Sequence, residues 1–579
     1  MTPAAIALRA GAVETPDSVS DERSYELSDA ERRDLVTRLE QGRVLPEKYR
    51  DVLFEARREV ELVWPGKTRE PCSPAVPFRT LERIEPPPPP PQPDAPLAAS
   101  ADPPPDGWVN QLFRGDNQLV LASLRSGDLR RRIEAAGGIK LIYVDPPFDV
   151  GQDFHMDVEI GEPAFSERPS RVRLPAYRDT WGTGKDSFLA MLWERLLLMH
   201  ELLCDDGSIY VHCDWRVSAQ VRLVLDEIFG RNHFSNEIVW HYYNKLQGNV
   251  GRFASNHDVI LSYRKGQRFH FEPLREKRDE PKRQQKRAWD PQTRSLKQAR
   301  DEQGNLLYYE ETERTIDDVW RLPYLMPANQ KEPLGYPTQK PEQLVERIVR
   351  SSSRPGDLIA DFFCGSGTTP AVAERLGRKW IASDSGGLAV QTTRKRLIGL
   401  QRERASAGDA GRAFELSCPV DVEGGGPADE RVVTAKAQRD APPSRALRIE
   451  LTDFRLRCGS SDAVVVGTMH GRSPVTCEQG QLRVLTPRAG GGTDRKLLTR
   501  HWTDWVDCWA VDFDFERRAD ADAAVFRPAW HGLRTRRQRR LELVTARHAY
   551  ERPGRYAVAV RVVDVLGRET MTVLRVEVG

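Results

Sequence analysis

Cysteine is scarce and scattered in this sequence. The eight cysteines (Cys72, Cys204, Cys213, Cys364, Cys418, Cys458, Cys477 and Cys508) include no Cys-x-x-Cys pair, a pattern that is neither a disulfide framework nor a zinc site. No metal centre is expected. Long apolar runs are missing too, and the N-terminus lacks the charged, apolar and cleavage regions of a signal peptide, so the expectation is a cytoplasmic chain without membrane association. The formal net charge of +2 is too small to predict nucleic-acid binding by itself, and local charge therefore matters more than the total. No Gly-x-x-x-x-Gly-Lys-Ser/Thr loop is present and no internal repeat is visible. What is present is a chain of 579 residues, 39% hydrophobic and 30% charged: a globular composition with length for about three or four domains.

Punctuation divides the chain. A helix is predicted after Ser28, an N-cap with Glu31 three residues on, and a strand-like run follows at Glu59–Trp64. The prolines at 86–91 and 103–105 mark a stiff linker, giving a small N-terminal helical module at 1–85 and a linker at 86–107. From 108 to 404 strand candidates (Gln111–Gly115, Leu141–Val144, Ser208–His212, Glu237–His241, Val259–Tyr263, Asp357–Asp361, Trp380–Ala382) alternate with helical stripes. One stripe is Val217, Val221, Val224, Leu225 and Ile228. Another is Leu344, Val345, Ile348 and Val349, in a helix opening with Pro341 in its first turn. This is an α/β pattern, an open and mostly parallel sheet with helices on both faces, whose ligands bind at the carboxyl ends of the strands. Residues 405–445 read as a linker, and 446–579 as an all-β domain of short alternating strands.

Three motifs carry chemistry. Asp361-Phe-Phe363-Cys364-Gly365-Ser-Gly367-Thr368-Thr follows an apolar strand and opens a helix, where glycines let the backbone approach a ligand. It does not continue as Gly-x-Gly-x-x-Gly, which weakens a dinucleotide reading. Asp384 ends the next strand candidate, where an acid can accept hydrogen bonds from both ribose hydroxyls of a nucleoside cofactor. In Leu141-Ile-Tyr-Val-Asp145-Pro146-Pro147-Phe148 a buried strand ends in an acid, a rigid diproline and an aromatic ring. Such a unit suits an exocyclic base amine, a poor nucleophile because its lone pair conjugates with the ring. The Asp145 carboxylate and the Pro146 carbonyl can accept its two N–H groups and favour a pyramidal nitrogen. Phe148 can stack on an extruded base.

With these residues in view, the region 108–402 resembles the β-class amino-group DNA methyltransferases, in the site-specific group related to the modification subunits of type III restriction systems. The Asp-Pro-Pro-aromatic motif precedes the glycine turn by more than 200 residues, as in that class. Phe113-Arg-Gly-Asp116-Asn, Ser208-Ile-Tyr-Val-His-Cys-Asp214-Trp and Tyr336-Pro-Thr338-Gln-Lys340-Pro341 extend the likeness. The resemblance implies a Rossmann-like methyltransferase fold, circularly permuted to start at its third strand and finish with the first two. It implies S-adenosylmethionine as cofactor, with Asp361, Phe363, Cys364, Gly365, Gly367 and Thr368 on the methionine side. Asp384 would take the ribose and Asp116 the adenine amine, with Thr338 and Lys340 near the methionine carboxylate and Asp145 between cofactor and base. Two departures are visible: Phe362 where the family usually has proline, and Ala382-Ser383-Asp384 where it often has Gly-Ile-Asp or Gly-Ile-Glu. Aspartate rather than serine at 145 implies adenine N6 over cytosine N4.

Residues 265–300 hold 12 Lys/Arg against 5 Asp/Glu, with Phe269, Phe271 and Trp289 interleaved. The family places target recognition in this stretch, here 265–335, so Lys282, Arg283, Lys286 and Arg287 are candidate phosphate contacts on double-stranded DNA. The loop at 149–186, with Trp181 and Lys185, is a second candidate for gripping DNA or closing the site. The C-terminal stretch from His548 to Val560 resembles the closing strands of polycystic-kidney-disease-type β-sandwich domains. The Arg534, Arg536, Arg537, Arg539 and Arg540 cluster is a candidate contact for DNA or a partner. No nuclease or helicase motif is evident, so restriction or phage-defence activity would need partner subunits, and homodimers are common in the resembled family. Competing readings are N4-cytosine or RNA methylation, a non-catalytic recognition subunit and a nicotinamide oxidoreductase. The last leaves the diproline unexplained.

Overall fold

The computed structural model describes residues 28–41, 61–65, 67–68, 73–87, 107–161, 170–182, 184–245, 251, 253–326, 332–409, 411–420, 430–441, 444–457, 464–469, 471–488, 492–515, 525–535 and 538–579. By internal contacts the chain divides into two units, Met1–Glu61 and Leu62–Gly579. The first contains the helix Asp29–Glu40. Its capping box forms as its sequence requires: Ser28 Oγ accepts from Glu31 N at 3.4 Å, and Ser28 N donates to Glu31 Oε2 at 3.0 Å.

In the second unit ten strands make one sheet. They are β1 (Phe78–Ile84), β2 (Asn110–Arg114), β3 (Ile139–Val144), β4 (Leu203–Cys213), β5 (Phe234–His241), β6 (His257–Arg264), β7 (Val319–Arg321), β8 (Leu358–Asp361), β9 (Lys379–Asp384) and β10 (Phe414–Pro419). Their order is β1-β10-β2-β9-β8-β3-β4-β6-β5-β7, parallel from β10 through β4. The permutation implied by the resemblance is present: β8 and β9, late in sequence, lie between β2 and β3. All seven strand candidates of the 108–404 region are strands.

Central parallel strands are covered on both faces, which is why they read as continuous apolar runs. Side chains alternate between two cores. Ile142, Val144, Ile209 and Val211 pack with the helices Asn117–Leu124, Lys185–Leu202 and Ser218–Phe229. Leu141, Tyr143, Ile359 and Trp380 pack with Glu342–Ser352, Thr368–Arg375 and Gly387–Ser406. In the helix Glu342–Ser352 the stripe Leu344, Val345, Ile348 and Val349 is buried as read, although Pro341 is its N-cap rather than its first-turn residue.

Several expected boundaries fall elsewhere. Residues 61–64 of the strand-like run are irregular. Trp64 is buried edge-on against Trp193 at 5.8 Å, so its apolar spacing serves packing rather than a ladder. The strand β1, placed in an N-terminal module by sequence, pairs antiparallel with β10 at the edge of the main sheet. β10 itself lies inside the expected 405–445 linker and pairs parallel with β2. The Pro-rich stretch 88–106 lies outside the described residues. Within 265–335 two exposed two-stranded ribbons form, Arg275–Gln285 with Tyr308–Thr315 and Arg287–Asp290 with Ser295–Gln298. β7 then returns to the sheet.

The C-terminal region is β-rich, with sheets of three, six and four strands. The six-stranded sheet includes two strands from the 149–186 loop, Phe154–Ile160 and Ser170–Tyr177, the latter pairing with Val464–Met469. Val172 and Leu174 of that hairpin share one core with Leu447, Val475 and Val558. Glu82 of β1 is buried where this region meets the main sheet, and Arg394 of the helix Gly387–Ser406 holds it through two bonds of 2.6 and 2.7 Å. Arg561 lies 3.7 Å from the same carboxylate. Among the described residues no helix is long and apolar enough to cross a membrane, and no group of three or more His, Cys, Asp or Glu could hold a metal ion.

Candidate functional site

The registers Asp361↔Tyr143, Asp361↔Ala382 and Asp384↔Arg114 align the carboxyl ends of β2, β3, β8 and β9. Asp116, Asp145, Asp361 and Asp384 all lie at or just beyond these ends. They line one cavity of about 420 Å³. Pro146, Pro147, Phe148, Thr338, Lys340, Phe363, Cys364, Gly365 and Thr368 line it as well. The chain brings together residues more than 200 positions apart because β3 and β8 are neighbours in the sheet.

Asp145 follows directly on β3. Both its oxygens accept from Lys340 Nζ, at 2.7 and 2.6 Å, and the lysine side chain is only 7% exposed. The Phe148 ring stacks on His212 of β4, centroids 5.6 Å apart, and the Lys340 ammonium lies 5.2 Å from the centroid of the same ring. His212 is fixed from two sides, by the Tyr143 hydroxyl at 2.9 Å and by Asp258 at 3.3 Å.

The glycine turn connects β8 to the helix Thr368–Arg375. Gly365 and Gly367 have φ of +49° and +74°. A Cβ at 365 would sit 3.2 Å from the Tyr336 ring, and one at 367 would sit 2.7 Å from Thr393, so both conformation and space require glycine. Asp384 holds this turn: its carboxylate accepts from Gly365 N at 2.9 Å and Gly386 N at 2.8 Å. Burial nevertheless raises its pKa above the ordinary carboxylate value. Asp361 is more strongly perturbed. Burial pushes it up to about 7, and the charges of Asp145 and Asp384 add to that, against hydrogen bonds from the Thr369 hydroxyl and Phe363 N.

Asp116 caps the helix Asn117–Leu124, accepting from Gln118 N at 2.9 Å, and also takes Arg195 Nη2 at 2.8 Å. Thr338 has φ +59°; its hydroxyl donates to Pro337 O and meets the Tyr177 hydroxyl at 3.0 Å. Thr368 Oγ1 donates to Lys340 O and accepts from Arg396. The Cys364 thiol is buried and its pKa is raised by that burial.

The candidate DNA contacts divide. Trp181 lines the cavity, its Nε1 donating to Asp179 and its ring edge-on to Phe188. Lys185 is exposed, donates to Arg216 O at 3.3 Å and is not part of the lining. Lys282, Arg283 and Arg287 lie on the exposed ribbons and Lys286 between them, all exposed and away from the lining. In the ladder Lys282 opposes Glu311, and Arg283 opposes Glu310 and covers the Tyr308 ring at 4.2 Å. Within the Arg534–Arg540 cluster, Arg534 is buried and bonded to Thr503 O, and Arg539 pairs with Glu159 of the hairpin. Those two hold the fold together, and Arg536 and Arg537 lie outside the described residues.

Sequence reasoning gave no role to Asp179, Tyr177, Arg195, His212 or Tyr336. His212 could have been found as the polar residue that follows the apolar run Ile209–Val211 in the Ser208–Trp215 segment. Tyr336 opens the Tyr336-Pro-Thr338 segment, whereas Asp179, Tyr177 and Arg195 carry no local signal, since Arg195 sits in an apolar helix and Asp179 in a loop.

The sequence pattern of the DNA methylase family matches residues 139–394. The type II methyltransferase M.EcaI of Enterobacter cloacae is 32% identical over 351 residues, covering 52% of this chain and 71% of that protein. The Mod subunit of the type III restriction-modification enzyme EcoP15I of Escherichia coli is 27% identical over 162 residues, 27% of this chain. The match spans only 24% of that subunit. Among solved structures, the cytosine-N4-specific PvuII DNA methyltransferase is 16% identical, covers 52% of this chain and 94% of its own, and has a TM-score of 0.32.

Proposed function

Since this chain belongs to the DNA methylase family of amino-methyltransferases, we propose that it transfers a methyl group from S-adenosylmethionine to the N6 amine of adenine in double-stranded DNA, with the base extruded from the helix. The observation that carries this reading is the Asp145-Pro-Pro-Phe148 segment lining the same cavity as Gly365, Ser366 and the carboxylates of Asp116, Asp361 and Asp384.

The cavity's chemistry fits the cofactor. Its carboxylates (Asp116, Asp361, Asp384 and Asp145) suit a ligand carrying an ammonium, a sulfonium, ribose hydroxyls and an adenine amine, all cations or donors. Gly365 lines the cavity, while Gly367 lies behind it and lets the turn pack against Thr393. Asp361 would hold the ammonium, Asp384 the ribose, Asp116 the adenine amine, and Lys340 with Thr338 the carboxylate end. When bound, S-adenosylmethionine supplies an electrophilic methyl group on sulfur.

The protein's own residues do the rest. The Asp145 carboxylate and Pro146 carbonyl accept the two N–H groups of the target amine, which turns its lone pair out of conjugation. Lys340 holds the Asp145 carboxylate by both oxygens, and about two of its four lone-pair sites remain for the amine. Phe148, backed by His212, offers a face to the base. Asp145 is positioned to receive the proton released as the methylated amine returns to neutrality. The preference for adenine rests on aspartate at 145. The same reading gives the exposed basic ribbons the DNA backbone, and it extends to a cytoplasmic restriction or phage-defence setting with partner subunits or a second copy.

The test is tritiated S-adenosylmethionine with plasmid DNA, followed by digestion to nucleosides. Label in N6-methyl-2′-deoxyadenosine is expected. Label confined to N4-methyl-2′-deoxycytidine overturns the base assignment, and no transfer overturns the reading.

A further inference from the structure

Asp179 is fully buried and takes no part in the chemistry described above. Yet four N–H groups converge on its carboxylate. Oδ1 accepts from Asp149 N at 2.8 Å and from Trp181 Nε1 at 3.2 Å. Oδ2 accepts from Phe148 N at 3.3 Å and Val150 N at 2.9 Å. Its backbone carbonyl takes Gly151 N at 3.2 Å, and Asp153 Oδ1 accepts from its own N–H at 3.2 Å. Three consecutive amides of the segment that begins with the catalytic Phe148 thus point at one carboxylate.

Successive amides face one side only where the backbone alternates hand, and Asp149 in the middle has φ +56°. A non-glycine residue in that region is strained and persists only where its surroundings over-determine it. Here the buried carboxylate does so. Asp179 in turn follows the strand Ser170–Tyr177, whose Val172 and Arg173 pair with Met469 and Thr468 of the C-terminal sheet.

We infer that Asp179 is a positioning residue for methyl transfer: it sets the turn after Pro147, and so the placement of the Phe148 ring and the Pro146 carbonyl, from a strand anchored in the C-terminal β region. This rests on the methyltransferase reading above. The strand before Asp179 touches the cofactor side through Tyr177 and Thr338, but Asp361, Asp384 and the Gly365 turn are held by β8 and β9, so cofactor binding and transfer are separable.

The test uses full-length wild type, Asp179→Ala and Asp179→Asn with tritiated S-adenosylmethionine and plasmid DNA. Thermal melting, calorimetric affinity for S-adenosylmethionine and single-turnover transfer rate are measured on each. A displacement near 1 Å costs a reaction about 100-fold, so Asp179→Ala is expected to lose about that factor in rate. Asparagine keeps one acceptor oxygen and is expected to lose about tenfold, a partial rescue. Cofactor affinity should stay within about twofold of wild type. A wild-type rate in a folded Asp179→Asn and Asp179→Ala overturns the inference, as does loss of cofactor affinity in step with rate, which would mark a purely structural role. Failure of wild type itself to transfer label overturns the methyltransferase reading instead.

Discussion

Lowering the pH from about 8 to about 6 is expected to weaken S-adenosylmethionine binding about tenfold, through Asp361. Burial, with Asp145 and Asp384 nearby, raises this carboxyl to about 7 from the ordinary aspartate value of 3.8. The carboxylate is the form that holds an ammonium. With a bound-state pKa well below 6, apparent affinity falls by a factor of about 11 at pH 6 but only about 1.1 at pH 8, whose ratio is about ten. Calorimetric titration across this range measures it. Asp361→Asn cannot ionise, and the cofactor's own titration is common to both proteins, so the variant is the reference. A flat wild-type profile, or the same slope in Asp361→Asn, refutes the reasoning.

The same shift has a stability consequence. A folded-state pKa raised above the unfolded one contributes stability that is complete below about 3.8 and lost as pH rises through about 7. The loss approaches about 4 kcal/mol for this group alone. Without cofactor, Asp361→Asn should therefore gain stability relative to wild type as pH rises from about 5 to about 8, as urea denaturation would show.

Two further outcomes are expected. Arg394→Met leaves Glu82, fully buried, without its bidentate partner and should cost about 3–5 kcal/mol in urea denaturation; a cost under about 1 kcal/mol would mean Arg561 and His531 suffice. Replacing Lys282, Arg283, Lys286 and Arg287 by glutamate should weaken plasmid binding and reduce the slope of log affinity against log salt by about one per lost phosphate contact. An unchanged slope would take the ribbons out of the DNA interface.

Much of the main sheet was legible because its parallel strands are buried on both faces, which leaves runs such as Leu141-Ile-Tyr-Val that alternate with helical stripes. The cavity lining was legible where chemistry concentrates in a short motif, as in Asp145–Phe148 and Asp361–Thr368. What escaped was long-range. β10 lies in a Gly-, Ala- and Pro-rich stretch that reads as linker, and its six residues are too short a run to stand out, although pairing with β1 on one side and β2 on the other buries most of them. The 149–186 loop reads as a lid but is a hairpin completed by strands almost 300 residues later. Asp179 and Arg195 act through partners distant in sequence, and nothing adjacent to them announces it. The Arg534–Arg540 cluster reads as a basic surface, yet Arg534 and Arg539 are bonded within the fold.

Single-turnover transfer of tritiated methyl to plasmid DNA by wild type and Asp145→Ala, with calorimetric cofactor affinity measured in parallel, bears most directly on the chemistry assigned to Asp145. Wild type should label DNA. Asp145→Ala should bind S-adenosylmethionine with affinity within about tenfold of wild type and transfer slower by a factor of about 100 or more. Transfer by Asp145→Ala at a rate near that of wild type would contradict it.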